Sequence, residues 1–262
     1  MDLGASRSGY RDVARDLASV LGMNYAYAPM QLELDPVLDQ LDGAVDGASI
    51  PPDASRYKGV FGLAVLSRYP IKQAVCFQLD AQPYDWYVGE LESPAALEIG
   101  RRYASDWLFD NEIQREVKIG GRIFFRVDLD VPGLPGDTLS LIHNHLEIKA
   151  RPRHREAQLR EIMSHIGEIP HVVVMAGDFN TTRLDWMFVK VPPAAQPDGE
   201  ASYRLAPHYG ETLSGLIEDL SPRLSDHSPC VVDLPLWEPP GVAVEAEPGR
   251  CPATISFFLS DN

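Results

Sequence analysis

Residues 113–131 read IQREVKI-GG-RIFFRVDLDV, two runs in which apolar and polar residues alternate on either side of Gly120-Gly121. Alternation with a period of two is typical of β-strands, because successive side chains of a strand point to opposite faces of the sheet. Paired glycines adopt the positive φ angles of a tight hairpin turn at little cost. The stretch therefore predicts a β-hairpin and makes a β-sheet the centre of the fold.

Further elements are indicated on both sides of this hairpin. Before it the sequence predicts a short strand at 24–28, a surface excursion at 32–57, the strands GLAVLS and IKQAVCF around the turn residues 68–70, and a helical stretch at 95–110. After it come strands at 138–143, 171–177, 184–190 and 229–236. Strands that follow one another through short turns are typical of antiparallel sheets.

Two amphipathic helices interrupt the strands. Apolar residues recur at helical spacing over 10–21, where Ser8 is a candidate cap and Gly22 ends the pattern. A second helix is predicted over 153–166, before Gly167. Its apolar face consists of Leu159, Ile162, Met163 and Ile166. The elements together predict an α+β fold, a four-layer αββα sandwich with two mainly antiparallel sheets face to face and the helices outside.

Composition and charge exclude several classes of protein. The chain has 262 residues, of which 45% are hydrophobic, so disorder over the whole length is excluded. No apolar run approaches the roughly 18 residues of a membrane helix, and residues 1–16 are too charged for a signal peptide, so the sequence as written predicts a cytoplasmic chain without a membrane segment. The net charge of −15 disfavours long-range attraction to nucleic acid or anionic lipid. A phosphate-handling site would therefore need local cations or a metal.

Polar residues gather where the predicted strands of the second half begin or end. They are His145 in HNHLE, Asp178 and Asn180 in GDFN, Asp185 in RLDW, and Asp226 and His227 in SDHSP. Strand ends on one rim of a sandwich converge in space, so these segments can build one site. Each residue alone could be an ordinary turn residue, but the combination favours a site. Carboxylate and amide oxygens suit magnesium or manganese, whereas a zinc site would have more His or Cys.

The polar segments belong to a longer series of motifs with a fixed order. The series is GLAVLSRYPI at 62–71, IHNHLE at 142–147, an RxxQ helix at 155–158, AGDFNTT at 176–182, RLDW at 183–186 and SDHSP at 225–229. In these motifs residues 1–236 resemble the endonuclease/exonuclease/phosphatase (DNase I-like) family of metal-dependent phosphoesterases and nucleases. The resemblance implies the same sandwich and a hydrolase that uses a divalent ion to stabilise charge on phosphoryl oxygens.

The resemblance also implies roles for the residues on the metal side of the site. Asp226 would be a metal ligand or its near neighbour. Asp178 would orient or deprotonate the attacking water and would share in metal binding. His227 would be the general base or a phosphate contact, with Asp185 beside it to orient and charge the imidazole. The cofactor implied is Mg²⁺, with Mn²⁺ as the alternative.

The remaining residues would contact the substrate. By the same resemblance, Asn180 would hold the water or a phosphate oxygen, and His145 would donate to a phosphoryl oxygen. Arg151, Arg153, His154 and Arg155 form the one basic cluster, and it follows the HNHLE strand. The cluster can be an ordinary solvated helix start. Cations at a helix N-terminus are nevertheless unfavourable to the helix dipole and so favour an anionic partner, which makes Arg151 and Arg155 candidate substrate-binding residues.

Two departures from the family pattern predict an incomplete copy. Family members begin with two strands, the second ending in Gln-Glu with a metal-binding glutamate, and residues 1–28 resemble the stretch that follows it. Thr182 is followed directly by Arg183, where the family places several dozen residues. We therefore expect a domain over 1–237 that lacks its first strands, a Pro- and Glu-rich tail over 238–262, and impaired catalysis. A missing N-terminus could have carried a signal, which leaves the location open.

Two functions are thus weighed. The first is a Mg²⁺-dependent phosphoesterase that acts on a phosphodiester or phosphomonoester; the second is an inactive remnant or binding module of the same fold. A zinc hydrolase is disfavoured on the expectation that His143 and His145 lie on opposite faces of their strand. The substrate, whether small molecule, lipid headgroup or nucleic acid, and the oligomeric state stay open at this point.

Overall fold

The computed structural model describes residues 1–5, 8–34, 57–90, 100, 104, 117–180, 186–190, 211–212 and 230–231. Its helices are α1 (Val13–Leu21), α2 (Trp86–Glu90) and α3 (Pro152–Glu168). Its strands are β1 (Asp2–Leu3), β2 (Asn24–Leu34), β3 (Tyr57–Ser67), β4 (Ile71–Gln78), β5 (Val117–Gly120), β6 (Ile123–Asp130), β7 (Thr138–His145), β8 (Val172–Asp178), β9 (Trp186–Lys190), β10 (Glu211–Thr212) and β11 (Cys230–Val231).

The longer strands form two sheets. The first sheet has the order β1-β3-β2-β5 and is antiparallel throughout. The second sheet has the order β4-β6-β7-β8-β9, and its neighbours are antiparallel except for the parallel pair β7 and β8. Helix α3 connects that parallel pair, because parallel neighbours need a long crossover.

The core lies in layers between these elements. Phe61 and Leu63 of the first sheet pack against Phe125 and Leu141 of the second. On its other face the second sheet packs against α3, where Ile162 is fully buried. Helix α1 contacts β1, β2 and β3, with its two buried alanines turned toward them. The layers confirm the predicted αββα sandwich.

The predicted hairpin at Gly120-Gly121 is wrong. Strand β5 pairs with β2 in the first sheet, whereas β6 pairs with β4 and β7 in the second. Gly120 has φ +123°, and a side chain there would overlap the carbonyl oxygen of Met30. The Gln82 side chain bonds both backbone groups of Arg122, donating to its oxygen and accepting from its nitrogen, each at 2.8 Å. The two glycines therefore lie where the chain crosses from one sheet to the other. This crossover needs a positive φ angle at glycine, as a tight turn does.

Other boundaries also differ from expectation. Asp12, not Ser8, caps α1 by accepting from Arg15 N at 3.1 Å, while Gly22 ends the helix in the left-handed conformation as predicted. Strand β2 is longer than the predicted 24–28. Helix α3 passes Gly167 and ends at Glu168. The runs around 68–70 are strands of different sheets.

Some expectations fall outside the described residues. These are the tail at 238–262, most of the excursion at 32–57, all of the helical stretch 95–110 except positions 100 and 104, and the last strand beyond 230–231. Among the described helices, none is long and apolar enough to cross a membrane.

Candidate functional site

The parallel pair β7 and β8 brings two of the predicted site residues together. Both strands end at the same edge of the second sheet, and their register places His145 beside Asp178. Nε2 of His145 lies 3.6 Å from Oδ2 of Asp178, with 14% and 11% of the two side chains exposed. The pair therefore lies at the edge of the second sheet where these two strands end, with most of both side chains screened from bulk water. We call this edge the rim.

A tight turn after β8 adds Asn180 to the rim. The Asn180 backbone N–H donates to Asp178 Oδ1 at 2.6 Å, and Nδ2 donates to the carbonyl oxygen of Leu146 at 2.6 Å. Asn180 has φ +48°, a left-handed conformation that Asn tolerates better than most residues. The motif GDFN thus folds so that one carboxylate and one amide face the end of β7.

Gly177 is required at this place. A side chain at its φ of +155° would overlap the carbonyl oxygen of Asn144 on β7. Strand β8 therefore approaches β7 closely just before the turn, and Leu146 N donates to the Asp178 carbonyl oxygen at 2.8 Å. The glycine of GDFN fixes the distance between the two halves of the site.

The His145 imidazole lies in an apolar and cationic environment. Its ring meets Phe61 edge-on, with centroids 5.8 Å apart, and Nδ1 is buried with no hydrogen-bond partner among the residues that the structure describes. Burial, followed by the charges of Arg122, His143, the N-terminus and Lys118, holds the pKa of His145 well below its usual range. The imidazole is therefore neutral at pH 7, with one nitrogen to donate a proton and one to accept.

His143 lies on the same face of β7 as His145, so the expectation of opposite faces is wrong. Residues two apart in a strand share a face. Both rings contact β3: Nδ1 of His143 is 3.1 Å from the Ala64 carbonyl oxygen, and His145 meets Phe61. Burial, with the charge of the N-terminus, lowers the pKa of His143 to about 4.

The structure also assigns places to the two candidate substrate-binding arginines. Arg151 is exposed and immediately precedes α3. Arg155 is turned to the backbone: Nη1 donates to the Ala150 carbonyl oxygen at 2.7 Å and to that of Glu147 at 3.4 Å. Arg155 thus secures the loop after β7 in this structure. Asp185, Asp226 and His227 lie outside the described residues, so their place at the rim stays a prediction.

A buried group beside the rim was missed from the sequence. Glu147, Arg122 and Gln158 are each at most 3% exposed and are bonded to one another or to the loop after β7. Glu147 lies in the motif IHNHLE and Gln158 in the motif RxxQ, but neither was predicted as a site residue. A charged residue next to a buried apolar strand was the available signal, because such charges need a partner.

The donor set at the rim fits a hard cation in kind. Asp178 offers carboxylate oxygens and Asn180 an amide oxygen, which are ligand types of Mg²⁺. Within the part of the chain that the structure describes, three or more His, Cys, Asp or Glu side chains do not gather in a way that could hold a metal ion. Completing a site would thus fall to residues outside that part, of which Asp226 is the predicted one.

Comparison with known proteins identifies the family. A model of the Endonuclease/Exonuclease/phosphatase family matches residues 10–227. The chain belongs to this family. A search of curated proteins finds no match.

Three solved structures illustrate the similarity to this family. An endonuclease/exonuclease/phosphatase from Beutenbergia cavernae DSM 12333 is 17% identical, with 65% of this chain and 34% of that chain covered and a TM-score of 0.33. The human Nocturnin catalytic domain with bound sulfate anion is 17% identical, with 67% and 49% covered and a TM-score of 0.37. ANGEL2, a 2′,3′-cyclic phosphatase, is 12% identical, with 70% and 38% covered and a TM-score of 0.37. The chain thus spans between a third and a half of the length of these solved chains.

Proposed function

We propose that this chain hydrolyses a phosphate ester, either a phosphodiester or a phosphomonoester, with the help of a divalent cation at the rim. The observation that supports the proposal is the meeting of His145, Asp178 and Asn180. These residues come from two motifs that are 33 positions apart, and they meet in a member of a family named for nucleases and phosphatases. Two structurally unrelated turns would not be expected to place an imidazole, a carboxylate and an amide at one edge.

Asp178 and Asp226 would hold the cation, Mg²⁺ or Mn²⁺. When bound, that cation supplies positive charge that stabilises the phosphoryl oxygens. Asp178 also accepts from the Asn180 backbone, so its carboxylate is held in one orientation from which it can orient or deprotonate a water molecule. Asn180 would offer its amide oxygen to a ligand, with the orientation of the amide fixed by the bond from Nδ2 to the Leu146 carbonyl oxygen.

His145 would donate a hydrogen bond to a phosphoryl oxygen. A neutral imidazole can do this while its ring is held by Phe61. His227 would act as the general base or as a second phosphate contact, with Asp185 orienting it. Arg151 would attract the anionic substrate from its exposed position before α3, whereas Arg155 would act on the substrate only through the loop that it bonds.

The substrate class that fits this chain is a small or locally bound phosphate ester. The net charge of −15 opposes binding to a long polyanion through charge alone. The exposed Arg151 before α3 would give a single phosphate group a local positive charge that a long polyanion could not use alone. We also propose a low rate for this chain, because the residues that the family places between Thr182 and Arg183 are absent.

The proposal is tested with bis(p-nitrophenyl) phosphate and p-nitrophenyl phosphate as probes for the two ester classes. The purified chain is assayed with Mg²⁺, with Mn²⁺ and with excess EDTA. The variant Asp178→Asn and the surface control Glu156→Gln are assayed in the same way. We expect slow hydrolysis that EDTA and Asp178→Asn remove and that Glu156→Gln keeps. Hydrolysis that survives EDTA would contradict metal dependence. A folded chain without hydrolysis of either probe would favour the inactive remnant or binding module.

A further inference from the structure

The side chain of Glu147 is only 1% exposed, and both of its carboxylate oxygens accept hydrogen bonds. Oε2 accepts from Arg122 Nε at 2.9 Å and from Trp86 Nε1 at 2.9 Å. Oε1 accepts from Arg122 Nη2 at 3.3 Å and from Lys149 N at 3.0 Å. A buried charge with this many donors is fixed in position, because moving it would leave several polar groups without partners.

The backbone of Glu147 is held from a different direction. Its N–H donates to Gln158 Oε1 at 3.0 Å, and Gln158 Nε2 donates to the Ala81 carbonyl oxygen at 2.8 Å. The carbonyl oxygen of Glu147 accepts from Arg155. Helix α3 therefore clamps the main chain of residue 147 while Arg122 and Trp86 clamp its side chain.

The partners of Glu147 are themselves anchored. The Arg122 backbone is bonded on both sides by Gln82 and lies at the crossover from the first sheet to the second. Trp86 begins α2, and its ring lies beneath the cations of Lys118 and Lys149, whose nitrogens are 4.9 and 4.5 Å from its centroid. The position of Glu147 is thus tied to both sheets and to α2.

These anchors act two residues away from His145. Only Leu146, which is 1% exposed, separates the imidazole-bearing residue from Glu147, and strand β7 ends at His145. The bond from Leu146 N to Asp178 fixes one side of this short link, and Glu147 fixes the other. Without Glu147, the last residue of β7 would keep its sheet bonds but lose the support beyond them.

We propose that Glu147 is a positioning residue for His145, held by Arg122 and Trp86, and that this buried ion pair sets the imidazole against Asp178 for phosphate-ester hydrolysis. The proposal rests on the proposed function for its catalytic meaning. The competing role is a structural one, in which the pair contributes only to stability. The two roles predict different results when the pair is replaced by apolar residues, because such a replacement often restores stability without restoring the geometry of the original pair.

The test uses the full chain and four variants. Glu147→Gln breaks the pair, Arg122→Met with Glu147→Leu replaces it, and Trp86→Phe removes one donor while keeping an aromatic ring. The matched control is Glu156→Gln with Arg160→Gln, an exposed ion pair on α3 with a distance of 2.7 Å. Thermal unfolding, the His145 ring resonances at one fixed pH, and kcat and KM for bis(p-nitrophenyl) phosphate are measured on each.

We expect Glu147→Gln to lower the unfolding temperature and the apolar pair to recover most of it. In both variants the His145 ring resonances should move and kcat should fall about tenfold, with KM changed less than about twofold, because the ring is displaced while phosphate contacts elsewhere persist. Trp86→Phe, which keeps an aromatic ring in the core, should shift the resonances in the same direction by less. The control should leave all three measurements at wild-type values.

The proposal is overturned if the apolar pair recovers stability and the His145 resonances and kcat stay at wild-type values. Unmoved resonances in folded Glu147→Gln and Trp86→Phe would overturn it as well. The ring resonances need no turnover, so failure of the proposed function is separable: resonances that move in a chain without hydrolysis support the positioning and contradict only the enzyme activity.

Discussion

Two polar clusters lie at opposite ends of β7, and both contain an aspartate and a histidine. The first is the rim, with His145, Asp178 and Asn180. The second, the outer cluster, consists of Arg126, Asp128, Ser140 and His171 on the face of the second sheet that carries α3. In composition, either cluster could be taken for a catalytic site.

The clusters differ in how their polar atoms are used. In the outer cluster Arg126 donates to both Asp128 oxygens at 2.8 Å, Ser140 donates to Asp128, and His171 Nε2 lies 2.7 Å from Ser140 Oγ. At the rim, counting only the residues that the structure describes, Nδ1 of the imidazole has no hydrogen-bond partner and Nε2 lies 3.6 Å from Asp178, beyond hydrogen-bond distance. A cluster whose groups satisfy one another stabilises the fold, whereas one with unused donors and acceptors has capacity for a ligand.

The largest expected effect is on hydrolysis, from a change at the rim. Asp178→Asn should lower the rate at least about a hundredfold, because it removes negative charge from the proposed cation site and the carboxylate proposed to orient or deprotonate the water. The unfolding temperature should change little, since an amide oxygen can still accept from Asn180 N. Initial rates with Mg²⁺ and a thermal melt check this. A rate within twofold of wild type would place the chemistry elsewhere.

The outer cluster should respond in the opposite way. Asp128→Ala should lower the free energy of unfolding by about 3 kcal/mol, because a carboxylate with Arg126 and Ser140 as donors is removed from a buried place. Hydrolysis per folded molecule should stay unchanged. Urea unfolding and rates at a temperature well below the melt measure both. A large loss of rate with full stability would make the outer cluster a second candidate site.

Acid should affect the inter-sheet face that bears the rim. The pKa of His143 is lowered to about 4 in the folded chain, so the unfolded chain binds the proton first as pH falls from 6.5. This contribution to stability is complete above pH 6.5 and is lost as pH approaches 4, by about 3 kcal/mol. Urea unfolding over this range should show a smaller loss in His143→Gln than in wild type. Parallel curves for the two proteins would remove His143 as the cause.

The smallest effect is expected for an ion pair that belongs to neither cluster. Glu156→Gln should change the free energy of unfolding by no more than about 0.5 kcal/mol, because its pair with Arg160 is 60% and 77% exposed. Urea unfolding in low and high salt measures this. A larger loss would mean that exposed ion pairs also stabilise this chain strongly, so that burial would not explain the stability expected from the outer cluster.

The sequence predicts the rim better than it predicts its supports. His145, Asp178 and Asn180 were found because each ends an apolar run, and strand ends of one sheet share an edge. Glu147 and Arg122 were missed because one follows β7 and the other precedes β6, and no local sequence pattern indicates a pair 25 positions apart. The outer cluster was also missed, because Arg126 and Asp128 look like ordinary polar positions of a strand.

The fold was predicted where the hydrophobic pattern decides it and not where long-range pairing does. Alternation identified β6 as a strand, and Gly120-Gly121 identified a sharp change of direction. Whether such a turn closes a hairpin or carries the chain to another sheet depends on which strands β5 and β6 pair with. That choice is made by β2, β4 and β7, which are distant in sequence.

The central claim, that the rim and not the outer cluster holds a divalent cation, is tested most directly by paramagnetic broadening. Mn²⁺ is titrated into isotope-labelled chain, and backbone amide signals are followed by NMR in wild type and Asp178→Asn. We predict that the signals of His145, Asp178 and Asn180 broaden first, that Mg²⁺ in excess restores them, and that Asp178→Asn abolishes the effect. Broadening centred on Asp128 and Ser140, or uniform broadening that Asp178→Asn leaves unchanged, would contradict the claim.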